Sequence, residues 1–193
     1  MKTFILFLLL LTITTTAFTQ IKKGQYLLGG GFNFESTKDE NSISPTNKSN
    51  NFFISPNIGY FLFDKMASGL RIDFSSYDSK SGNVETHYTS TSISPFLRFY
   101  LLPASKKVNP FIDISYIHNK TKWSSFSNPS YYEKAKGYHI SAGPAIFLTD
   151  QIALEFTIGY KHTKSDNFEK TKSNVINSEF GLQIHFGKNK YSR

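Results

Sequence analysis

The chain has 193 residues, a length that suits one domain, and carries a formal net charge of +8. It has no cysteine, which excludes a disulfide framework and any thiolate metal site. Aromatic residues make up 16% of it, with 19 Phe and 11 Tyr against one Trp, a bias toward side chains that suit strands rather than helices.

Residues 1–19 read as a cleaved export signal. Lys2 gives a positive start, residues 4–11 (FILFLLLL) form an unbroken apolar core, and Ala17-Phe18-Thr19 puts small residues where a signal peptidase reads, with cleavage expected before Gln20. The apolar run falls well short of the ~20 residues that a spanning helix needs. No cysteine follows it, so a lipoprotein anchor is excluded. Residues 20–193 then form the predicted single domain. Without disulfides, an exported domain must be held together by something else.

Beyond Gln20 no apolar run is long enough to span a membrane as a helix, and the recurring hydrophobic period is two. A weak first strand runs through Tyr26, Leu28, Phe32 and Phe34. The second sets Phe52, Ile54, Pro56, Ile58, Tyr60 and Leu62 on one face and Ser55, Asn57 and Gly59 on the other. In the third, Leu70, Ile72 and Phe74 oppose Arg71, Asp73 and Ser75; in the fourth, Ile93, Leu97, Phe99 and Leu101 oppose Ser92, Ser94 and Arg98. The fifth sets Ile112, Ile114 and Tyr116 against Asp113 and Ser115. In the sixth, Tyr138, Ile140, Ala142, Ile146 and Leu148 oppose His139, Ser141 and Gly143. The last two are the clearest: Ile152, Leu154, Phe156, Ile158 and Tyr160 against Glu155, Thr157 and Gly159, then Phe180, Leu182, Ile184 and Phe186 against Glu179, Gly181, Gln183 and His185.

Eight strands, an even number, let an up-and-down antiparallel sheet close with both termini at one end. The joins alternate in length. Residues 63–65, 103–108 and 149–151 are short turns, whereas 36–50, 78–86, 119–136 and 162–174 are long and polar. Short periplasmic turns and long external loops are the layout of outer-membrane barrels, so the pattern predicts an all-β, eight-stranded antiparallel up-and-down transmembrane β-barrel.

Face polarity separates this from a soluble barrel, whose apolar face points inward. Here the apolar face is rich in Phe and Tyr near strand ends, as an aromatic girdle at two interfaces requires. The polar face carries Glu35, Arg71, Asp73, Arg98, Asp113, Glu155 and Glu179. Turned inward, Arg71, Asp73, Arg98, Asp113, Glu155 and Glu179 form the expected polar network of the lumen, with Arg98 and Asp113 as partners across a short turn. An eight-stranded barrel is just wide enough for its side chains to fill, which predicts a plugged interior. Pro56, Pro95, Pro110 and Pro144 are expected at bulges or strand starts, because proline removes a ladder donor. Gly29-Gly30-Gly31 lies within a strand and reads as a place of bending or close packing.

Ile54-Ser55-Pro56-Asn57-Ile58-Gly59-Tyr60-Phe61, Gly69-Leu70-Arg71, Pro95-Phe96-Leu97-Arg98-Phe99-Tyr100, Gly159-Tyr160 and Phe180-Gly181-Leu182 together resemble the small eight-stranded outer membrane β-barrel domains of the OmpA-barrel and OmpX type. The resemblance implies an integral protein of the bacterial outer membrane, inserted by the barrel assembly machinery, which reads a terminal strand ending in an aromatic. Phe186 looks like that aromatic, although residues 187–193 continue beyond it.

Three classes of function fit these features. The first is a non-enzymatic, monomeric envelope protein with a structural role or surface contacts made through its external loops. The second is a soluble exported barrel holding a lipid or other apolar ligand inside. The third is a lipid A-modifying enzyme, because His139, Ser141 and Glu155 resemble the His/Ser/Glu set of outer-membrane deacylases. Alternation turns those three into the lumen, away from lipid. Neither a phosphate-cradling glycine loop nor a metalloprotease motif is present, and no cofactor or metal is expected. Lys38, Lys48, Lys80, Lys120, Lys122, Lys134, Lys136, Lys164, Lys170 and Lys172 fall in the predicted external loops, where lipopolysaccharide would supply phosphates and acidic sugars. Nucleic acid is not an expected partner, since no recognition motif accompanies the charge and export removes it.

Overall fold

A computed structural model describes residues 21–39, 47–81, 84–125, 128–166 and 171–187. The predicted signal at 1–19, the tail beyond Gly187 and Lys170 lie outside them. The strands are β1 (Tyr26–Asp39), β2 (Asn47–Phe63), β3 (Met66–Ser81), β4 (Val84–Tyr100), β5 (Val108–Ser125), β6 (Asn128–Phe147), β7 (Ile152–Ser165) and β8 (Lys172–Phe186). Each pairs antiparallel with the next, and β8 returns to β1 to close the barrel.

The two faces of this cylinder have opposite chemistry. Every even-numbered apolar residue of β2 from Phe52 to Leu62 is exposed on the outside, as are Leu97, Phe99, Ile114, Ile140, Ile158 and Leu182. A solvent-facing surface of that kind is untenable in water and requires hydrocarbon. Rings gather at both edges of the band. Near the short turns Tyr26 lies 5.1 Å from Tyr60 and 5.6 Å from Phe186, and toward the other end Tyr138 lies 6.4 Å from Tyr160.

The short turns fall where the sequence places them, but the long loops do not. Residues 36–39, 47–50, 78–81, 84–86, 119–125, 128–136, 162–165 and 172–174 are strand, so Lys80, Lys120, Lys122, Lys134, Lys136, Lys164 and Lys172 stand on the barrel wall. Lys38 and Lys48 are also strand residues. The cause is physical: beyond the lipid both faces meet water, so the hydrophobic contrast that marks a strand vanishes while backbone pairing continues.

Three of the four prolines also differ from expectation. Register shifts occur between Phe61 and Phe63 and between Trp123 and Ser125, at none of the prolines. Pro56 and Pro95 sit where pairing to one neighbour lapses with register intact, and Pro144 behaves likewise toward β7. Pro110 lies near the start of β5, opposite Pro144. A lapse of one or two pairs removes the need for the missing N–H without bending the wall.

Ile58, mid-band on β2, tests which face meets lipid. Ile58→Arg should lower stability by about 2–4 kcal/mol in urea unfolding from lipid vesicles, whereas Thr89→Arg, outward but beyond the band, should cost about 0–1 kcal/mol. Equal costs at both positions would contradict the assignment.

Candidate functional site in the barrel lumen

The inside is layered. Next to the short turns, Leu27, Phe61, Phe96, Tyr100, Phe111 and Phe147 fill the lumen with apolar side chains. Ile21 joins them from below, held by a hydrogen bond from the Lys65 N–H to the Ile21 carbonyl of 2.8 Å. The Tyr100 hydroxyl and His185 Nε2, 3.2 Å apart, make a polar contact within this layer. Period-two reading missed it because these rings are on the inward face. The signal was present as apolar runs in which both parities are large, as in Tyr60-Phe61-Leu62-Phe63 and Phe96-Leu97.

Above the rings lies a compact ion cluster. Arg98 and Asp113 are register partners on β4 and β5, and Arg98 Nε donates to Asp113 Oδ2 at 3.1 Å. Arg98 Nη1 donates to both oxygens of Glu155, at 2.8 and 3.0 Å. Arg71 Nη2 donates to the same Asp113 oxygen at 3.0 Å. Asp113 is fully buried and Arg98 only 3% exposed. The Arg98 guanidinium also lies 4.2 Å over the Phe111 ring and Arg71 5.3 Å over Phe96, so the rings below carry the cations above.

Of the six residues in the expected network, the structure therefore joins Arg71, Arg98, Asp113 and Glu155. Glu179 faces the lumen apart from them and accepts from Ser55 Oγ at 2.5 Å. Asp73 lies inward but makes no ion pair among the described residues, and its Oδ1 has no hydrogen-bond partner. The side chain of Glu35 is not among those described. Gly31 makes room for Glu179: a Cβ there would collide with the Glu179 carboxylate.

His139, Ser141 and Glu155 all point into the lumen and do not engage one another. His139 Nε2 pairs with Asn177 Oδ1 at 3.2 Å, and Glu155 is held by Arg98. The space left beside the ion cluster is about 20 Å3, little more than one water molecule occupies. Above it the lumen opens into a cavity of about 470 Å3 between Asn33, Asp73, Ser90, Asn119, Lys161 and Asn177. Among the described residues no group of three or more His, Asp or Glu is placed to hold a metal.

Removing one partner strands the others in a dry interior. Arg98→Met should cost about 3–5 kcal/mol in urea unfolding, while Glu179→Gln, outside the cluster, should cost about 1 kcal/mol or less. A loss for Arg98→Met no larger than for Glu179→Gln would show that the cluster carries no structural weight.

Residues 5–186 match the outer membrane protein beta-barrel domain family. No curated protein matches the chain by sequence. Among solved structures, the outer membrane protein OprG from Pseudomonas aeruginosa has a TM-score of 0.56 at 14% identity, covering 89% of this chain and 100% of that one. The N-terminal beta-barrel domain of Pseudomonas aeruginosa OprF has a TM-score of 0.50 at 13% identity, covering 85% and 98%. Neisserial surface protein A (NspA) has a TM-score of 0.50 at 17% identity, also covering 85% and 98%. At these identities the likeness is one of fold. Fold, outward apolar band and family agree, and they remove the soluble apolar-ligand carrier: the chain belongs to the outer membrane protein beta-barrel domain family and is a β-barrel of the bacterial outer membrane.

Proposed function

We propose that this protein is a non-enzymatic, monomeric structural element of the envelope, exported by residues 1–19, inserted by the barrel assembly machinery through its last strand, and anchored laterally by lipopolysaccharide. The observation that carries the reading is the placement of its lysines. Lys136, Lys164 and Lys172 are successive register partners on β6, β7 and β8, and Lys120 is the partner of Lys134. Across the β1–β8 seam Lys38, Lys48 and Lys80 are successive partners on β1, β2 and β3.

Like charges directly opposed across strands destabilise a sheet. Lys80 has Glu85 at 2.6 Å and Lys136 has Asp166 at 3.8 Å, which offsets part of the repulsion. Lys120, Lys134, Lys136, Lys164 and Lys172 are exposed and share the outward face, just beyond the Tyr138 and Tyr160 girdle. That height is where the phosphates of the outer leaflet lie, and an array of anions is the partner that turns the repulsion into attraction. The surface contact is thus made by the extended wall, in place of the loops expected from sequence.

The non-enzymatic part of the reading is supported by the separate partners taken by His139 and Glu155. The structural part is supported by the filled section between Phe61 and Arg98, where the space beside the ion cluster is about 20 Å3.

The test compares unfolding of the refolded protein in neutral phospholipid with that in lipopolysaccharide. The natural chain should gain stability from lipopolysaccharide, by about 2.7 kcal/mol where the lipid stands at a hundred times its dissociation constant. K136E/K164E/K172E should lose most of that gain and keep its stability in neutral phospholipid. A gain that survives the triple substitution would overturn the anchoring role.

A further inference from the structure

Of the three successive glycines on β1, Gly29 and Gly31 make room inside the barrel, and Gly30 opens the outside. Gly30 shares the outward face of β1 with Leu28 and Phe32, and its register partners are Pro56 on β2 and Leu182 on β8, with Leu154 beyond Leu182 on β7. Its φ is +155°, and a Cβ there would lie 2.6 Å from the Ser55 carbonyl oxygen and 2.8 Å from the Pro56 Cα, so the backbone keeps the position bare. The neighbouring row, one step farther from the short turns, is Phe156, Phe180, Phe32 and Ile54. Phe180 packs on Phe156, on its far side from Phe32, with ring centroids 5.0 Å apart.

These two rows enclose an apolar trough of about 610 Å3 on the lipid-facing side of the β1–β8 seam, walled by Phe32, Ile54, Pro56, Leu154, Phe180 and Leu182 and floored by the glycines. Phe32 and Phe180 are each 63% exposed, and Phe34 and Ile176, farther along the same two strands, are 65% and 78% exposed. No other large apolar side chain among the described residues is as exposed as these four, so the barrel's least covered apolar surface is gathered at one place. Both lysine rows reach the same seam. Lys136 and Lys164 lead to Lys172 on β8, and Lys80 and Lys48 lead to Lys38 on β1. Cationic positions thus flank the seam on both sides, beyond the upper end of the trough.

We propose that the trough seats one acyl chain of a lipopolysaccharide molecule whose phosphates lie between the two lysine rows. The proposal rests on lipopolysaccharide as the lateral anchor and makes the seam its binding site. A trough lined by carbon offers a polar ligand no partner, while an unfilled one forfeits the dispersion contacts that a chain would make along its walls. Gly30 holds the trough open in advance, so seating a chain requires no rearrangement of the wall. Chains of any lipid pass over it, but one tied to a headgroup already held by lysines is presented at a high effective concentration, and the two contacts reinforce each other.

The chain has one tryptophan, Trp123, so a single emitter can be moved at will. In a Trp123→Phe background, Phe32→Trp puts it on the rim of the trough and Ile114→Trp puts it on the outward face of β5, away from the seam. Each protein is refolded into vesicles of phospholipid with brominated chains, which quench tryptophan on contact, and lipopolysaccharide with unbrominated chains is added at a few mole per cent. Quenching at Phe32→Trp should fall by about half or more as the site saturates, quenching at Ile114→Trp should fall only by dilution, and adding K136E/K164E/K172E should restore most of the quenching at Phe32→Trp. Folding is checked by heat-dependent gel mobility, and where Trp123→Phe fails to fold, the emission of the natural chain is subtracted instead. Equal relief at both positions, or relief at Phe32→Trp that survives the triple substitution, overturns the proposal. So does shielding that needs no lipopolysaccharide and rises with protein density, which assigns the trough to a second copy. Stabilisation by lipopolysaccharide without shielding at Phe32→Trp overturns the seated chain and leaves the anchoring role standing, whereas absence of both removes the two together.

Discussion

Closure of β1 against β8 is the constraint from which the rest of this molecule follows. A strand in hydrocarbon has no water to satisfy its N–H and C=O groups, so a sheet with a free edge has no place there. The seam runs only from Tyr26 opposite Phe186 to Phe32 opposite Phe180, while the other pairings continue well beyond the lipid. Its inward positions include Gly29, Gly31 and Gly181, whose missing side chains leave room for larger neighbours such as Glu179 and Gln183. The joint that must close is thereby also where bulky polar groups enter the narrow interior.

Closure at eight strands fixes a diameter that side chains must fill, and lipid outside claims the aliphatic ones. The interior then has two kinds of filling. Phe61, Phe96, Tyr100, Phe111 and Phe147 pack as a water-excluding layer, and Arg71, Arg98, Asp113 and Glu155 lie on it as a neutral set of charges. Neither layer suffices alone. The ions need low-dielectric neighbours for strong pairing, and the rings need the cations above them to make the upper boundary of the apolar layer wettable. Asp113 is the hinge of the arrangement, because one of its oxygens accepts from both arginines.

Much of this was legible in the residues. Outward alternation such as Phe52 to Leu62 marks the lipid band because hydrocarbon selects one face strictly, and Arg98 and Asp113 are countable as partners across the turn between β4 and β5. Glu155 as the second acceptor of Arg98 was not legible as a pair, since β4 and β7 share no register and meet only across the lumen. The inward rings were hidden for the opposite reason: where both parities are large and apolar, period two carries no contrast. The same loss of contrast, in polar form, made the distal strand ends read as loops, and with them went the register that aligns Tyr77, Tyr88, Trp123 and Tyr131.

Local rules are broken in that distal third on both faces of the wall. Lysines face lysines across strands on the outside, and on the inside the rings of Tyr88 and Trp123 border a polar cavity. In the lipid band apolar residues face outward, Arg71, Arg98, Asp113 and Glu155 are paired, and Pro56, Pro95 and Pro144 sit where the ladder lapses. Proteins depart from such consistency chiefly where function requires it. The departures here are grouped by face, cations outward and rings inward, so one extended wall separates two surfaces of different chemistry. Strand pairing beyond the lipid makes that possible, because a loop of the same composition holds neither a row of lysines nor a row of rings in register.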